Sequence, residues 1–144
     1  MNSIDILVVE DNDDDVVLIQ EAFAEGKLIN RITFVRDGEE AIAYLRNEGI
    51  YATAPMPGML LLDINMPKKN GFEVLTDIKA DPRLRALPVI MLTVSDRDED
   101  IVRSFEQGAC SYIRKPVTLT RFVAVVKEFE LYWSLVSRVP VINR

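Results

Sequence analysis

Residues 59–71 read MLLLDINMPKKNG, an apolar run that stops abruptly at an acid and then turns. Met59 to Leu62 is apolar without interruption, which suits a central parallel strand covered on both faces better than a half-exposed antiparallel one. Pro67 to Gly71 turns the chain, and Phe72, Val74, Leu75 and Ile78 then recur at helical spacing before Asp81-Pro82. One βα unit is therefore expected here, and the same pattern repeats on both sides of it.

Upstream, Ile4 to Val9 (IDILVV) is a short apolar run entering Glu10-Asp11-Asn12-Asp13, a strand feeding a capped helix, with Asp13 the expected N-cap. Val17, Leu18, Ala22 and Phe23 carry that helix towards a stop at Gly26. Ile32, Phe34 and Val35 form a second strand closed by Asp37-Gly38, and Ala41, Ile42 and Leu45 follow at helical intervals. Asn47 to Gly58, with Gly49, Pro55, Pro57 and Gly58, is a long connecting loop. Downstream, Pro88 to Leu92 reads as a fourth strand, Asp98 to Gln107 as a helix stopped by Gly108, and Cys110 to Ile113 as a short fifth strand. After Lys115-Pro116 a final helix is expected from about Leu119 to Ser137.

Five βα units without a repeat or an interdomain linker imply an α/β fold: a flavodoxin-like, doubly wound, five-stranded parallel sheet of order 2-1-3-4-5 with helices on both faces. Ligands in such folds bind beyond the carboxyl ends of the strands. The length of 144 residues fits one domain, residues 1–144, with an extended C-terminal helix and tail and no separate output domain. Hydrophobic residues make up 49% and charged residues 28%, enough to build a core.

The net charge of −6 argues against unaided binding to nucleic acid or anionic lipid. No apolar run is long enough to span a bilayer, and Asp5 interrupts the place where a signal peptide needs its apolar stretch, so a cytoplasmic protein is expected. Cys110 is the only cysteine, which excludes an internal disulfide and reads as a small core residue. The absence of histidine removes Ser-His-Asp and Cys-His chemistry, HExxH zinc sites and any phosphohistidine carrier role.

The strand ends gather chemistry. Glu10 and Asp11 follow the first strand, Asp63 ends the third, Thr93 the fourth and Lys115 the fifth. Carboxylates brought about 4 Å apart repel by roughly 4 kcal/mol at an effective dielectric of 20, so such a trio needs a cation or shared protons. Oxygen-only ligands favour Mg²⁺. A carboxylate flanked by a cation, an ammonium and a hydroxyl is a competent phosphoryl acceptor.

At this point the chain resembles the receiver domain of two-component response regulators, through VVEDN at 8–12, LLLDINMPKKNG at 60–71, VIMLTVS at 89–95 and SYIRKP at 111–116. The resemblance implies Asp63 as phosphoacceptor, Asp11 as direct Mg²⁺ ligand, Glu10 as the companion acid and Asn65 as donor of a backbone carbonyl to the metal. It implies Thr93 and Lys115 as the groups that bind phosphoryl oxygens, Tyr112 as the aromatic switch residue and Pro116 as a proline after a cis bond. Val94 departs from the small residue usual after the threonine, which bears on phosphodonor entry and turnover. Lys68-Lys69 reads as a solvated pair.

The long 47–58 loop, the EDNDDD start and the extended last helix look like the single-domain regulators that partner phytochrome-type histidine kinases. The implied function is a stand-alone regulator, not an enzyme acting on other substrates, that takes a phosphoryl group from a sensor histidine kinase and switches a surface for a downstream protein. Two other readings share the strand-end acids. A metal-dependent aspartyl-phosphate phosphatase usually carries a second acid where this chain has Asn65, and an unphosphorylated interaction module tends to lack groups that this chain keeps.

On the last helix, Leu119, Phe122, Val126, Phe129 and Trp133 fall on one stripe that should pack on the sheet. Ala124, Leu131 and Leu135 lie within about 40° of one another on another face. With the apolar tail Val139, Val141 and Ile142, they suggest a homodimer interface, joined by the fourth helix and fifth strand.

Overall fold

Successive side chains of a strand point to opposite faces, so strands that are apolar at every position need a layer of helices on each side. The computed structural model, which describes residues 4–24, 29–66, 68–94, 98–125 and 127, has that arrangement. The elements are β1 (Ile4–Val9), α1 (Asp13–Phe23), β2 (Ile29–Val35), α2 (Gly38–Leu45), a 3₁₀ turn (Gly49–Tyr51), β3 (Met59–Asp63), α3 (Gly71–Ala80), β4 (Val89–Thr93), α4 (Asp98–Glu106) and β5 (Ser111–Arg114). Residues 119–125 are helical again and are labelled α5.

All strand pairs are parallel and the sheet order is β2-β1-β3-β4-β5. This is the doubly wound order expected from the spacing of the apolar runs. Leu7, Val9, Leu60, Leu62, Val89 and Met91 face one side, where they meet Ile42 and Leu45 of α2 and Val74, Leu75 and Ile78 of α3. Ile6, Val8, Met59, Leu61, Ile90 and Leu92 face the other, against Ile19 and Phe23 of α1 and Phe122 of α5. The Phe23 and Phe122 rings lie 4.4 Å apart and lock those two helices together. Fully burying one leucine is worth about 1.5 to 3 kcal/mol, so the run in β3 is a large share of what holds the sheet.

Local chemistry sets the helix starts. Asn70 and Glu73 exchange side-chain to backbone hydrogen bonds in a capping box at the head of α3. Asp37 caps α2 through the Glu40 N–H. For α1 the cap is Asn12 and not Asp13: Asn12 has extended backbone angles, and its Oδ1 accepts from the Asp15 N–H at 3.0 Å. Asp13 is thereby inside the helix and pairs with Arg36.

In the long loop, Asn47 donates to the carbonyls of Tyr51 and Ala54, and the Tyr51 hydroxyl donates to Glu40 at 2.8 Å. Burial and then the Glu40 bond push the Tyr51 phenol up to about 12.

Two further expectations need correction. Cys110 is exposed: its N–H donates to the Val89 carbonyl as the chain enters β5, but it is the preceding Ala109 that packs into the core. Lys69 is 29% exposed and paired with Asp77 of α3, while Lys68 stays 60% exposed, 3.4 Å from the α2 cap Asp37. On the final helix, Phe122 is buried and Ala124 exposed, in keeping with the faces assigned to them. Val126, Phe129, Leu131, Trp133 and Leu135 lie outside the described residues, as do the Gly26 stop and the tail.

Gly71 starts α3 directly beneath β3, and a Cβ there would lie 2.5 Å from the Asp63 carbonyl oxygen and 2.8 Å from Ile64 Cα. Backbone cannot yield as a flexible side chain can. Gly71→Ala should therefore destabilise by about 1 to 3 kcal/mol, an overpacking cost that lowers the melting temperature by roughly 3 to 10 °C. Gly49→Ala meets nothing within 4 Å and bears only the strain of φ +57°, about 1 to 2 kcal/mol. Calorimetric melts of the two variants beside the parent check both.

Candidate functional site

In this sheet the chain turns one way from β1 to β2 and the other way from β3 onwards, so the loops leaving β1 and β3 diverge and open a crevice at their carboxyl ends. Glu10 follows β1 directly, and its N–H continues the ladder by donating to the Val35 carbonyl at 3.0 Å. That bond fixes where its side chain starts. Glu10 is fully buried, Asp11 beside it is exposed, and Asp63, at the end of the neighbouring β3, is 4% exposed. Carboxylate oxygens of the three lie within 4.8 Å of one another.

Lys115, just past β5, is aimed into the same place. Its N–H donates to the Thr93 carbonyl at 2.8 Å, which extends the β4–β5 pairing and holds the side chain over the sheet edge. The ammonium lies 2.7 Å from Glu10 Oε1, 2.9 Å from Asp15 Oδ2 and 3.4 Å from Asp63 Oδ2. Burial disfavours the charged lysine, but the close Glu10, Asp15 and Asp63 carboxylates outweigh it and hold the ammonium above its ordinary range. It is a fixed cation. The Lys115-Pro116 peptide bond is cis.

Glu10 Oε2 accepts from the Asn12 N–H and Asp63 Oδ1 from the Asn65 N–H, each at 3.3 Å. Thr93 is 2% exposed at the end of β4, one position beyond the Leu92 that pairs with Asp63. Val94, immediately after it, is 66% exposed. Asn65 is exposed in the turn after β3. Tyr112 lies farther from the acids, half-buried on β5 opposite Met91, with its ring edge-on to Phe105 of α4 at 6.0 Å. The structure thus brings Glu10, Asp11, Asp63 and Lys115 together, while Thr93, Asn65 and Tyr112 occupy the adjoining strand end, turn and edge strand.

Asp15 was not singled out from sequence. The EDNDDD run reads as a helix start, yet the third aspartate of that run reaches a lysine one hundred positions away. No periodic signal marked it, because Asp11 lies before the Asn12 cap and so off the helix on which Asp15 stands.

Burial first, and Glu10 second, push the Asp63 carboxyl up to about 7 from an ordinary value of 3.8, against the pull of Lys115. One ammonium does not neutralise three crowded carboxylates. A divalent cation with hard oxygen ligands fits this donor set, because it supplies the missing charge where the acids repel most.

The sign of the resulting pH dependence follows from the raised acid. Between pH 3.8 and about 7 the folded chain keeps a proton on Asp63 that the unfolded chain has lost, so stability falls as pH rises through this window. A shift of this size amounts to at most about 4 kcal/mol. In metal-free buffer, melts from pH 4.5 to 8 should show the decline, Asp63→Asn should flatten it, and a divalent cation should restore stability at the upper end. A parent protein that melts uniformly across the range would contradict this electrostatic account of the pocket.

Residues 6–127 match the family model described as the response regulator receiver domain. Response regulator Rcp1 of Synechocystis sp. is 38% identical over 135 residues, 94% of this chain and 92% of that protein. The "Probable methanogenesis regulatory protein FilR2" of Methanothrix harundinacea is 41% identical over 136 residues, 94% of this chain and 86% of that protein. Among solved structures, the phosphorylated cyanobacterial phytochrome response regulator RcpA superposes with a TM-score of 0.76 at 42% identity, covering 98% of this chain and 99% of that one. The Mn²⁺-bound form of Rcp1 gives 0.75 at 37% identity over 90% of this chain and 94% of that one. By sequence, by strand order and by the acids and lysine gathered at the sheet's carboxyl edge, the chain belongs to the response regulator receiver family, whose function is phosphoryl acceptance.

Proposed function

We propose that Asp63 is the phosphoryl acceptor of this receiver, taking the group from the phosphohistidine of a sensor histidine kinase. The observation that carries this reading is the setting of Asp63: 4% exposed at the end of β3, with Lys115 Nζ 3.4 Å from Oδ2 and the carboxylates of Glu10 and Asp11 beside it. An Asp63 carboxylate oxygen attacks phosphorus, the new O–P bond forms as the P–N bond breaks, and the bonding pair stays on the imidazole nitrogen. Glu10, Asp11, Asp63 and the Asn65 backbone carbonyl would hold Mg²⁺, which when bound supplies positive charge for the acceptor and the phosphoryl oxygens. Lys115 and Thr93 bind the oxygens that gain negative charge in transfer.

The response runs through Thr93 towards Tyr112. Arg103 stacks on Phe72 at 4.0 Å and Phe105 meets Tyr112 edge-on, so α4 rests on ring contacts that a turn of Tyr112 would change. Val102 and Phe105 of α4 are exposed, and Ala124 of α5 is exposed as well. This apolar surface supports a homodimer through the last helix, together with α4 and β5. The similarity to RcpA and Rcp1 supports a phytochrome-type kinase as the partner and a stand-alone regulator as the architecture. Among the described residues no helix is long and apolar enough to cross a membrane, which accords with a cytoplasmic place of action.

Acetyl phosphate or a phosphorylated kinase should label the chain only in the presence of Mg²⁺, with mass spectrometry placing the group on Asp63. Asp63→Asn should abolish labelling, and Lys115→Ala should slow it about 100-fold or more, as loss of one electrostatic partner of a transferring group does. A label on another residue refutes the assignment.

For the dimer, sedimentation of the parent with and without a phosphoryl mimic should show association. It should be lost in Leu131→Asp plus Leu135→Asp and weakened in Val102→Asp plus Phe105→Asp. A parent that is monomeric in both states disproves the interface.

A further inference from the structure

We propose that Asp15 is a positioning residue that holds the Lys115 ammonium off the acceptor and so limits how tightly a phosphoryl group on Asp63 is bound. This rests on the reading of Asp63 as acceptor. Of the three carboxylates around the ammonium, Asp15 accepts a well-aligned hydrogen bond at 2.9 Å, while Asp63 Oδ2 stands at 3.4 Å, beyond the usual 2.7 to 2.9 Å of a charge-assisted bond.

The three partners are not equivalent in what they lose if the ammonium moves. The Glu10 side chain is fully buried, and its Oε1, 2.7 Å from the ammonium, has no aligned hydrogen-bond partner. Withdrawing the ammonium would leave a buried charge uncompensated. The Asp15 side chain is 26% exposed and can exchange the ammonium for water. It is the releasable partner.

A phosphoryl group on Asp63 brings close to two negative charges and three acceptor oxygens. Its claim on Lys115 competes with that of Asp15 and not with that of Glu10. The Asp15 charge also repels the phosphoryl oxygens across the same ammonium, so both effects have one sign. Helix α1 therefore does more than begin beside the site: its first turn draws on the same cation that the acceptor needs.

Calorimetric titration with beryllofluoride, a phosphoryl mimic, at saturating Mg²⁺ tests this with four variants. Asp15→Asn keeps the side-chain size and the backbone N–H that Asn12 caps, and it should tighten mimic binding by about 3- to 10-fold, the scale of a partly solvated ion pair. Asp15→Glu restores the carboxylate and should return affinity to the parent value, a rescue that a merely structural role would not predict. Asp14→Asn makes the same charge change on the same exposed turn and should alter affinity less than about twofold. Unchanged or weaker binding by Asp15→Asn overturns the proposal, as does equal tightening by Asp14→Asn, which would reduce the effect to net charge. If the parent does not bind the mimic, or Asp63→Asn binds it equally well, the acceptor reading itself has failed. The Asp15 effect is thus read only against a parent whose binding depends on Asp63.

Discussion

The ammonium of Lys115 sits among carboxylates that would be intolerable without it. Glu10 and Asp63 are removed from water at the ends of adjacent strands, and an unpaired buried carboxylate costs several kcal/mol or gives up its charge. Lys115 reaches both from the far side of the sheet, 2.7 Å from one and 3.4 Å from the other. That reach exists only because β3, β4 and β5 lie side by side in register and the backbone of Lys115 is tied to the end of β4. A one-residue slip of β5 would turn the lysine to the other face and leave the acids alone. The electrostatics of the site and the register of the sheet are therefore one constraint.

The two faces of the sheet divide the labour. The helices α2 and α3 bury a continuous apolar layer, while the other face is closed by α1 and the start of α5 through Phe23 and Phe122. On α4, Arg103 lies over Phe72 and Phe105 meets Tyr112 edge-on, Ser104 is buried, and Val102 and Phe105 are exposed. Elements with little buried apolar area open at low free energy.

Much of this was legible in the order of residues. Met59 to Leu62 announced a strand covered on both faces, and the acids and lysine converged because parallel strands joined by βα units all end at one edge of the sheet. What escaped was set by contacts that local pattern does not encode. Asn12, not Asp13, caps α1 because its backbone stays extended, a choice invisible in a row of residues that all cap well. Cys110 is exposed while Ala109 beside it packs into the core. Lys69 found an acid on α3, Lys68 came near the cap of α2, and Asp15 found a lysine beyond β5. Each depends on where separate elements come to rest, which periodicity does not specify.

The same crowding that suits the pocket to its family's chemistry works against the fold. Burial and Glu10 push the Asp63 carboxyl up to about 7, so its ionised form is held at a cost in stability. A divalent cation held by these acids would favour the ionised form and offset the repulsion, so its binding and the ionisation of Asp63 would be linked. The fully buried runs of β1, β3 and β4 supply the stability against which such a pocket can be maintained.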